Sequence, residues 1–181
     1  MNLPNKLTIL RMILIIPFVI ILLTNCIGEY SSWAALAIFC IASLTDLLDG
    51  KIARKYGLVT NFGKFMDPLA DKILVCSAMI CMMAVKPDVM PAWAVIIILA
   101  REFIISGFRL VASDAGIVIA ASMWGKCKTV SQMIMLIMML TELPWEPLGL
   151  LTTIAMYVAV ALTVISLFDY VWKNRKLLAD K

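Results

Sequence analysis

The sequence contains no histidine. That removes imidazole acid/base chemistry near neutral pH and every metal centre built on an imidazole ligand. Charge is scarce too: Asp, Glu, Lys and Arg make up 15% of the chain, against roughly 25% in a soluble domain. Cysteine occurs at Cys26, Cys40, Cys76, Cys81 and Cys127, never as CxxC, and four of the five lie in or beside apolar runs. They read as small hydrophobes rather than zinc ligands or redox pairs. No internal repeat, flexible linker or low-complexity tract is visible, and neither disorder nor a coiled coil fits the composition.

What is present is apolar. Hydrophobic residues account for 63% of the 181 positions, against roughly 45–50% in soluble proteins, and the mean hydropathy is +0.98. A water-soluble fold of this size could not hide so much apolar surface, so the chain reads as an all-α, polytopic membrane protein with 1–181 as a single domain. The net charge of +4 says little until the charges are placed.

Apolar runs near the roughly 20 residues needed to cross a bilayer recur about six times. They are Ile9–Leu23, Trp33–Leu48, Pro68–Val85, Trp93–Val111, Val130–Leu140 with extensions, and Leu148–Phe168, preceded by a short N-terminal juxtamembrane segment. The first run follows Lys6 and Arg11 like a signal peptide, but no small-residue cleavage pattern comes after it, so a retained helix is expected. With alternating direction and a cytoplasmic N-terminus, the inner segments hold Lys6, Arg11, Lys51, Arg54, Lys55, Lys64, Lys126, Lys128, Lys173, Arg175, Lys176 and Lys181. The outer segments hold only Lys86. This asymmetry predicts that both termini are cytoplasmic.

Four acidic residues stand out beside these runs: Asp46, Asp49, Asp67 and Asp71. An ionised side chain at membrane depth costs roughly 2.5–3.5 kcal/mol even on a lenient scale, and four like charges repel. Two divalent cations would balance them. At about 100° per residue, Asp49 falls about 60° to one side of Asp46, with Gly50 and Ala53 on the same stripe. Asp67 and Asp71 form a second stripe beyond Gly63. The short connection between the runs makes these helices antiparallel neighbours. Paired carboxylates on facing helices frame a two-metal site, and all-oxygen ligands favour Mg²⁺ or Mn²⁺. Gly50, Ala53 and Gly63 leave room for a polar group near the backbone. Any one of these aspartates alone would read as a cap or an interfacial charge; the four together do not.

The pattern Asp46-x2-Asp49-Gly50-x2-Ala53-Arg54-x8-Gly63-x3-Asp67-x3-Asp71 resembles the signature of the CDP-alcohol phosphatidyltransferase family at every defined position. Outside it, Pro4-Asn5-x-Leu7-Thr8-x2-Arg11, Arg101-Glu102, Arg109 and Gly125-Lys126-x-Lys128-Thr129 resemble the phosphatidylglycerophosphate synthase branch of that family. The resemblance implies transfer of the phosphatidyl group of CDP-diacylglycerol to an alcohol with release of CMP, in a homodimer embedded in membrane lipid. It implies two divalent cations on Asp46, Asp49, Asp67 and Asp71, with Asp71 as general base. It places Gly50, Ala53, Arg54 and Gly63 around the CDP group, and Asn5, Thr8 and Arg11 near the nucleotide or its phosphates. Arg54 suits bidentate phosphate contact.

The acceptor is read from the basic residues outside the signature. Arg101 and Arg109 lie about 80° apart on the fourth run. Glu102 does not project with Arg101, but it shares a face with Ser106 and Arg109, so a Glu102–Arg109 pairing is expected. Lys126 and Lys128 open the fifth run. Such cations suit an acceptor with its own phosphate, which fits glycerol 3-phosphate or inositol phosphate and not serine; the resemblance favours glycerol 3-phosphate. Contact with anionic lipid is the plainer reading of Lys126 and Lys128. Transfer to another acceptor (inositol phosphate, serine or phosphatidylglycerol) and, more remotely, divalent-cation transport are the competing functions, and no nucleic-acid partner is expected.

Overall fold

A computed structural model of the chain describes residues 2–56, 60–114, 122–142 and 145–175, apart from the side chains of 47–55, 61, 64, 113 and 114. Six α-helices and one short 3-10 turn (Gly28–Tyr30) account for the regular structure of the described residues: α1 (Leu3–Thr24), α2 (Ser31–Tyr56), α3 (Asn61–Val85), α4 (Ala92–Asp114), α5 (Met123–Leu140) and α6 (Glu146–Lys173). No strand occurs among the described residues. Each helix contains one of the apolar runs and extends beyond it. The N-terminal segment is the first turns of α1, with Pro4 in the opening turn, where a missing N–H costs nothing.

Three stretches among the described residues are long and apolar enough to cross a membrane: Leu3–Thr24, Phe65–Val85 and Glu146–Lys173. Charge interrupts α2 at Asp46, Asp49, Lys51, Arg54 and Lys55, and α4 at Arg101, Glu102 and Arg109. The burial pattern departs from that of a water-soluble protein, with polar side chains inside and many large apolar ones outside. Arg11, Thr8, Thr163 and Ser166 are fully buried, while Ile13, Ile16, Ile20 and Leu23 point outward from α1. With apolar surroundings outside, helices associate through close packing and interhelical hydrogen bonds rather than through apolar burial.

The chain divides into two compact units. The first comprises Met1–Lys86 with Leu140–Leu143. In it α1 packs on both α2 and α3. The buried face of α1 is a single stripe, Pro4, Asn5, Thr8, Arg11, Ile15, Phe18 and Leu22, polar at its start and apolar at its end. Phe18 meets Phe39 of α2 with ring centroids 6.2 Å apart. On α2 the buried positions Ala35, Phe39 and Ala42 lead along the same stripe to Asp46. The pairings Phe18–Phe39 and Arg11–Asp46 make α1 and α2 antiparallel; Asn5–Thr60 and Thr8–Asp67 make α1 and α3 parallel.

Away from these residues, Ser32, Lys86 and Glu142 converge. Lys86 Nζ lies 2.8 Å from Glu142 Oε1, and Ser32 Oγ donates to the same oxygen at 2.8 Å. The hydrogen bond from Lys86 holds the Glu142 carboxyl below its ordinary range; partial burial opposes this and the Ser32 hydroxyl reinforces it. The folded carboxyl therefore titrates below the unfolded one. Its stabilisation is fully present above the unfolded pKa and is lost as pH falls through the folded value. The Glu142 side chain is 42% exposed, so solvent screens the pair and its worth is about 0.2–1 kcal/mol. Glu142→Gln is expected to lower the melting temperature slightly at neutral pH in detergent, with the difference vanishing in acid. A difference independent of pH would refute the ion pair as its source.

The second unit comprises Pro87–Met139 with Pro144–Lys181. Here α4 and α6 run parallel, as Trp93–Tyr157, Arg101–Ser166 and Phe108–Tyr170 show. The buried Thr152, Ala159, Thr163 and Ser166 keep one face of α6 narrow. Its hydroxyls return to their own helix: Thr152 donates to the Leu148 carbonyl at 2.7 Å and Thr163 to that of Ala159 at 2.6 Å. These two hydroxyls are thus carried at membrane depth with their hydrogen bonds met, while Asp169 Oδ2 and Tyr170 Oη further along α6 are buried without one among the described residues.

Candidate active site

In the first unit, three helices bring their polar residues to one place. Thr60 caps α3: its Oγ1 accepts from Gly63 N at 3.0 Å and donates to Asn5 Oδ1 at 2.9 Å. This ties the start of α3 to the start of α1. A Cβ at Gly63 would lie 3.2 Å from Asn5 Oδ1, 3.3 Å from Thr60 Oγ1 and 3.5 Å from Asp67 Oδ2. The space beside Gly63 is therefore taken by side chains of this chain, and the glycine permits the close approach of α1 to α3.

One turn on, Thr8 Oγ1 lies 2.5 Å from Asp67 Oδ1 and 3.1 Å from the Pro4 carbonyl. A hydroxyl has one proton, and the shorter, charge-assisted contact takes it. Arg11 is fully buried, and its Nη1 donates to Asp46 Oδ1 at 2.6 Å. The Asp46 side chain is 34% exposed. Asp46 and Asp67 lie within electrostatic range of each other. Asp71 is half-buried on the next turn of α3.

The backbone of α2 continues as helix through 49, 50, 53 and 54, but the side chains of Asp49, Ala53 and Arg54, and the surroundings of Gly50, lie outside the described residues. Among the described residues no three carboxylate or thiol groups gather tightly enough to form a metal-binding set. The candidate donors within electrostatic range of each other, Asp46 on α2 and Asp67 on α3, offer carboxylate oxygens only. That chemistry fits a hard divalent cation.

The cations of the second unit form a different arrangement from the one expected. Glu102 is the hub. Lys128 Nζ and Arg101 Nη1 both contact Glu102 Oε1, the latter at 3.2 Å, and Arg101 Nε donates to Ser166 Oγ at 3.1 Å. Arg101 is 8% exposed and Lys128 3%. Gly125 lies beside this group: a Cβ there would sit in ordinary van der Waals contact, 3.5 Å from Arg101 Nη2. Arg109 and Lys126 are exposed and stand apart from it. Glu102 thus pairs with Arg101 and Lys128 rather than Arg109, because the long arginine side chain reaches a neighbour that its helical projection leaves behind.

Two participants escape sequence reasoning. Thr60 is marked only as a threonine three residues before a helical glycine, the spacing of an N-cap. Ser166 carries no signal beyond being polar in an apolar run.

The sequence profile of the CDP-alcohol phosphatidyltransferase family matches residues 1–165 and so spans both units. The chain is 46% identical over 185 aligned positions to the CDP-diacylglycerol–glycerol-3-phosphate 3-phosphatidyltransferase of Bacillus subtilis, covering 96% of this chain and 95% of that one. The protein of the same name from Rickettsia typhi is 39% identical, covering 93% and 94%. A probable phosphatidylglycerophosphate synthase of Mycobacterium tuberculosis is 39% identical, covering 94% and 80%.

Proposed function

The chain belongs to the CDP-alcohol phosphatidyltransferase family, and on that premise we propose that it transfers the phosphatidyl group of CDP-diacylglycerol to sn-glycerol 3-phosphate, releasing CMP and forming phosphatidylglycerophosphate. The 46% identity to the Bacillus subtilis enzyme along nearly the whole length of both chains carries the choice of acceptor. The buried polar stripe of α1 against Asp46 and Asp67 supports the choice of site.

The acceptor hydroxyl oxygen forms a bond to the phosphatidyl phosphorus. The bond from that phosphorus to the bridging oxygen breaks, and its electron pair leaves with CMP. Asp71 receives the hydroxyl proton. Asp46, Asp49, Asp67 and Asp71 would hold two divalent cations, Mg²⁺ or Mn²⁺, which when bound supply electrostatic stabilisation of the diphosphate charge and acidify the acceptor hydroxyl. Gly50, Ala53, Arg54 and Asn5 are assigned to the CDP group, whereas Gly63 serves the approach of α1 to α3. The acceptor's phosphate is assigned to Arg101, Arg109, Lys126 and Lys128.

The three apolar helices and the bacterial relatives mark a membrane protein. We place it in the cytoplasmic membrane as a multi-pass homodimer, with the site and both termini facing the cytoplasm. The one-sided distribution of basic residues supports this orientation. Purified protein supplied with CDP-diacylglycerol, labelled glycerol 3-phosphate and Mg²⁺ or Mn²⁺ is expected to release CMP and label a lipid in equal amounts. CMP release with inositol phosphate, serine or phosphatidylglycerol, and none with glycerol 3-phosphate, would overturn the acceptor.

A further inference from the structure

The resemblance puts Thr8 and Arg11 beside the nucleotide, but their hydrogen bonds give them different work. Thr8 donates to Asp67 Oδ1 at 2.5 Å, and Arg11 to Asp46 Oδ1 at 2.6 Å. The two residues are three apart on α1, so they share one face of one turn, about 5–6 Å apart at Cβ. Asp46 and Asp67 come from different helices, with 20 residues between them in sequence. Each is thus gripped through one carboxylate oxygen by the same turn of a third helix. Thr8 is fully buried like Arg11, and Thr60 and Asn5 lock the register of α1 against α3 one turn earlier. Such a contact fixes a carboxylate rotamer and leaves its other oxygen available.

We propose that α1 is a positioning bracket for the carboxylate pair: Thr8 orients Asp67 and Arg11 orients Asp46 for divalent-cation binding, and neither acts on the nucleotide directly. This rests on the metal reading under the proposed function. Partners of this kind govern affinity strongly, and their loss typically costs about 10–100-fold in metal binding. Thr8 gives the cleaner case, because valine keeps the shape and removes only the donor. Arg11 also carries a charge opposing the cation, which makes the sign of its removal a balance of two effects.

The test uses full-length protein in detergent, with bound Mn²⁺ read from the electron paramagnetic resonance signal of the free ion. Thr8→Val is expected to weaken Mn²⁺ binding by about 10–100-fold. Thr8→Ser, which restores the hydroxyl, is expected to recover it to within a few fold. The KM for CDP-diacylglycerol, measured at saturating Mn²⁺, is expected to stay the same in both variants. Melting temperature and elution profile identify a Thr8→Val protein that has lost its fold, and Thr8→Ala, which also removes the donor, then decides: weakened Mn²⁺ binding with an unchanged KM supports the bracket, and wild-type Mn²⁺ affinity with a raised KM overturns it. Wild-type Mn²⁺ affinity in folded Thr8→Val together with a raised KM would overturn the proposal and return Thr8 to the nucleotide. Absence of Mn²⁺ binding by the wild-type protein would instead overturn the metal reading and the bracket with it, so the two failures look different.

Discussion

Asp67→Asn is expected to reduce turnover by at least about 10²–10³-fold, the loss associated with removing one contact to charge developing in a transition state. Asparagine keeps the size of the side chain and can still accept the Thr8 hydroxyl hydrogen bond, so the junction of α1 and α3 should survive. What disappears is a negative charge in half-buried surroundings, within range of Asp46 on the facing helix. That loss separates activity from stability. Without cations, the two carboxylates repel, so the variant should melt at or slightly above the wild-type temperature. With Mn²⁺ at about 100 times its dissociation constant, wild-type protein should gain about 2.7 kcal/mol and the variant little. The measurements are CMP release at saturating substrates and melting curves with and without Mn²⁺. Near-normal turnover would refute Asp67 as a cation ligand, and an equal Mn²⁺-induced rise in melting temperature would do the same from the stability side.

The helices were legible because lipid-exposed runs must be apolar over a bilayer's thickness, and all six lie where those runs predict. Their ends were not, because hydropathy reports the solvent a helix meets and not where its hydrogen bonds stop. So α2 continues to Tyr56, past the end of its run at Leu48. The aspartates were legible because a carboxylate beside an apolar run needs a reason. What holds them was less so. Arg11 reads as an interfacial anchor in a count of positive charges, yet it is fully buried against Asp46. Gly63 reads as space for a substrate, yet its missing side chain is filled by Asn5 and Thr60. Both depend on a third helix whose partner faces no periodicity specifies, since α1 is apolar on nearly every other side.

Glu102→Leu is expected to cost about 3–5 kcal/mol, the penalty for leaving a buried partner charge uncompensated. The side chains of Arg101 and Lys128 are 10% and 4% exposed, so neither can turn to solvent without moving its helix. Ser166 accepts a further hydrogen bond from Arg101, a neutral contact that does not replace the lost carboxylate. The penalty belongs to the broken set rather than to any intrinsic gain from ion pairing. Glu102→Leu combined with Lys128→Met should therefore recover much of it, because an apolar pair of similar volume often matches or exceeds a buried ion pair. Arg109→Ala and Lys126→Ala, at exposed positions, should change stability by no more than about 0.5 kcal/mol. Any effect of those two on the acceptor KM would then report binding and not fold, which makes them the usable probes of phosphate recognition. Thermal unfolding of the set in one detergent reads all of this. A Glu102→Leu protein within 1 kcal/mol of wild type, or a double variant no more stable than the single, would mean that Glu102 does not compensate the buried cations.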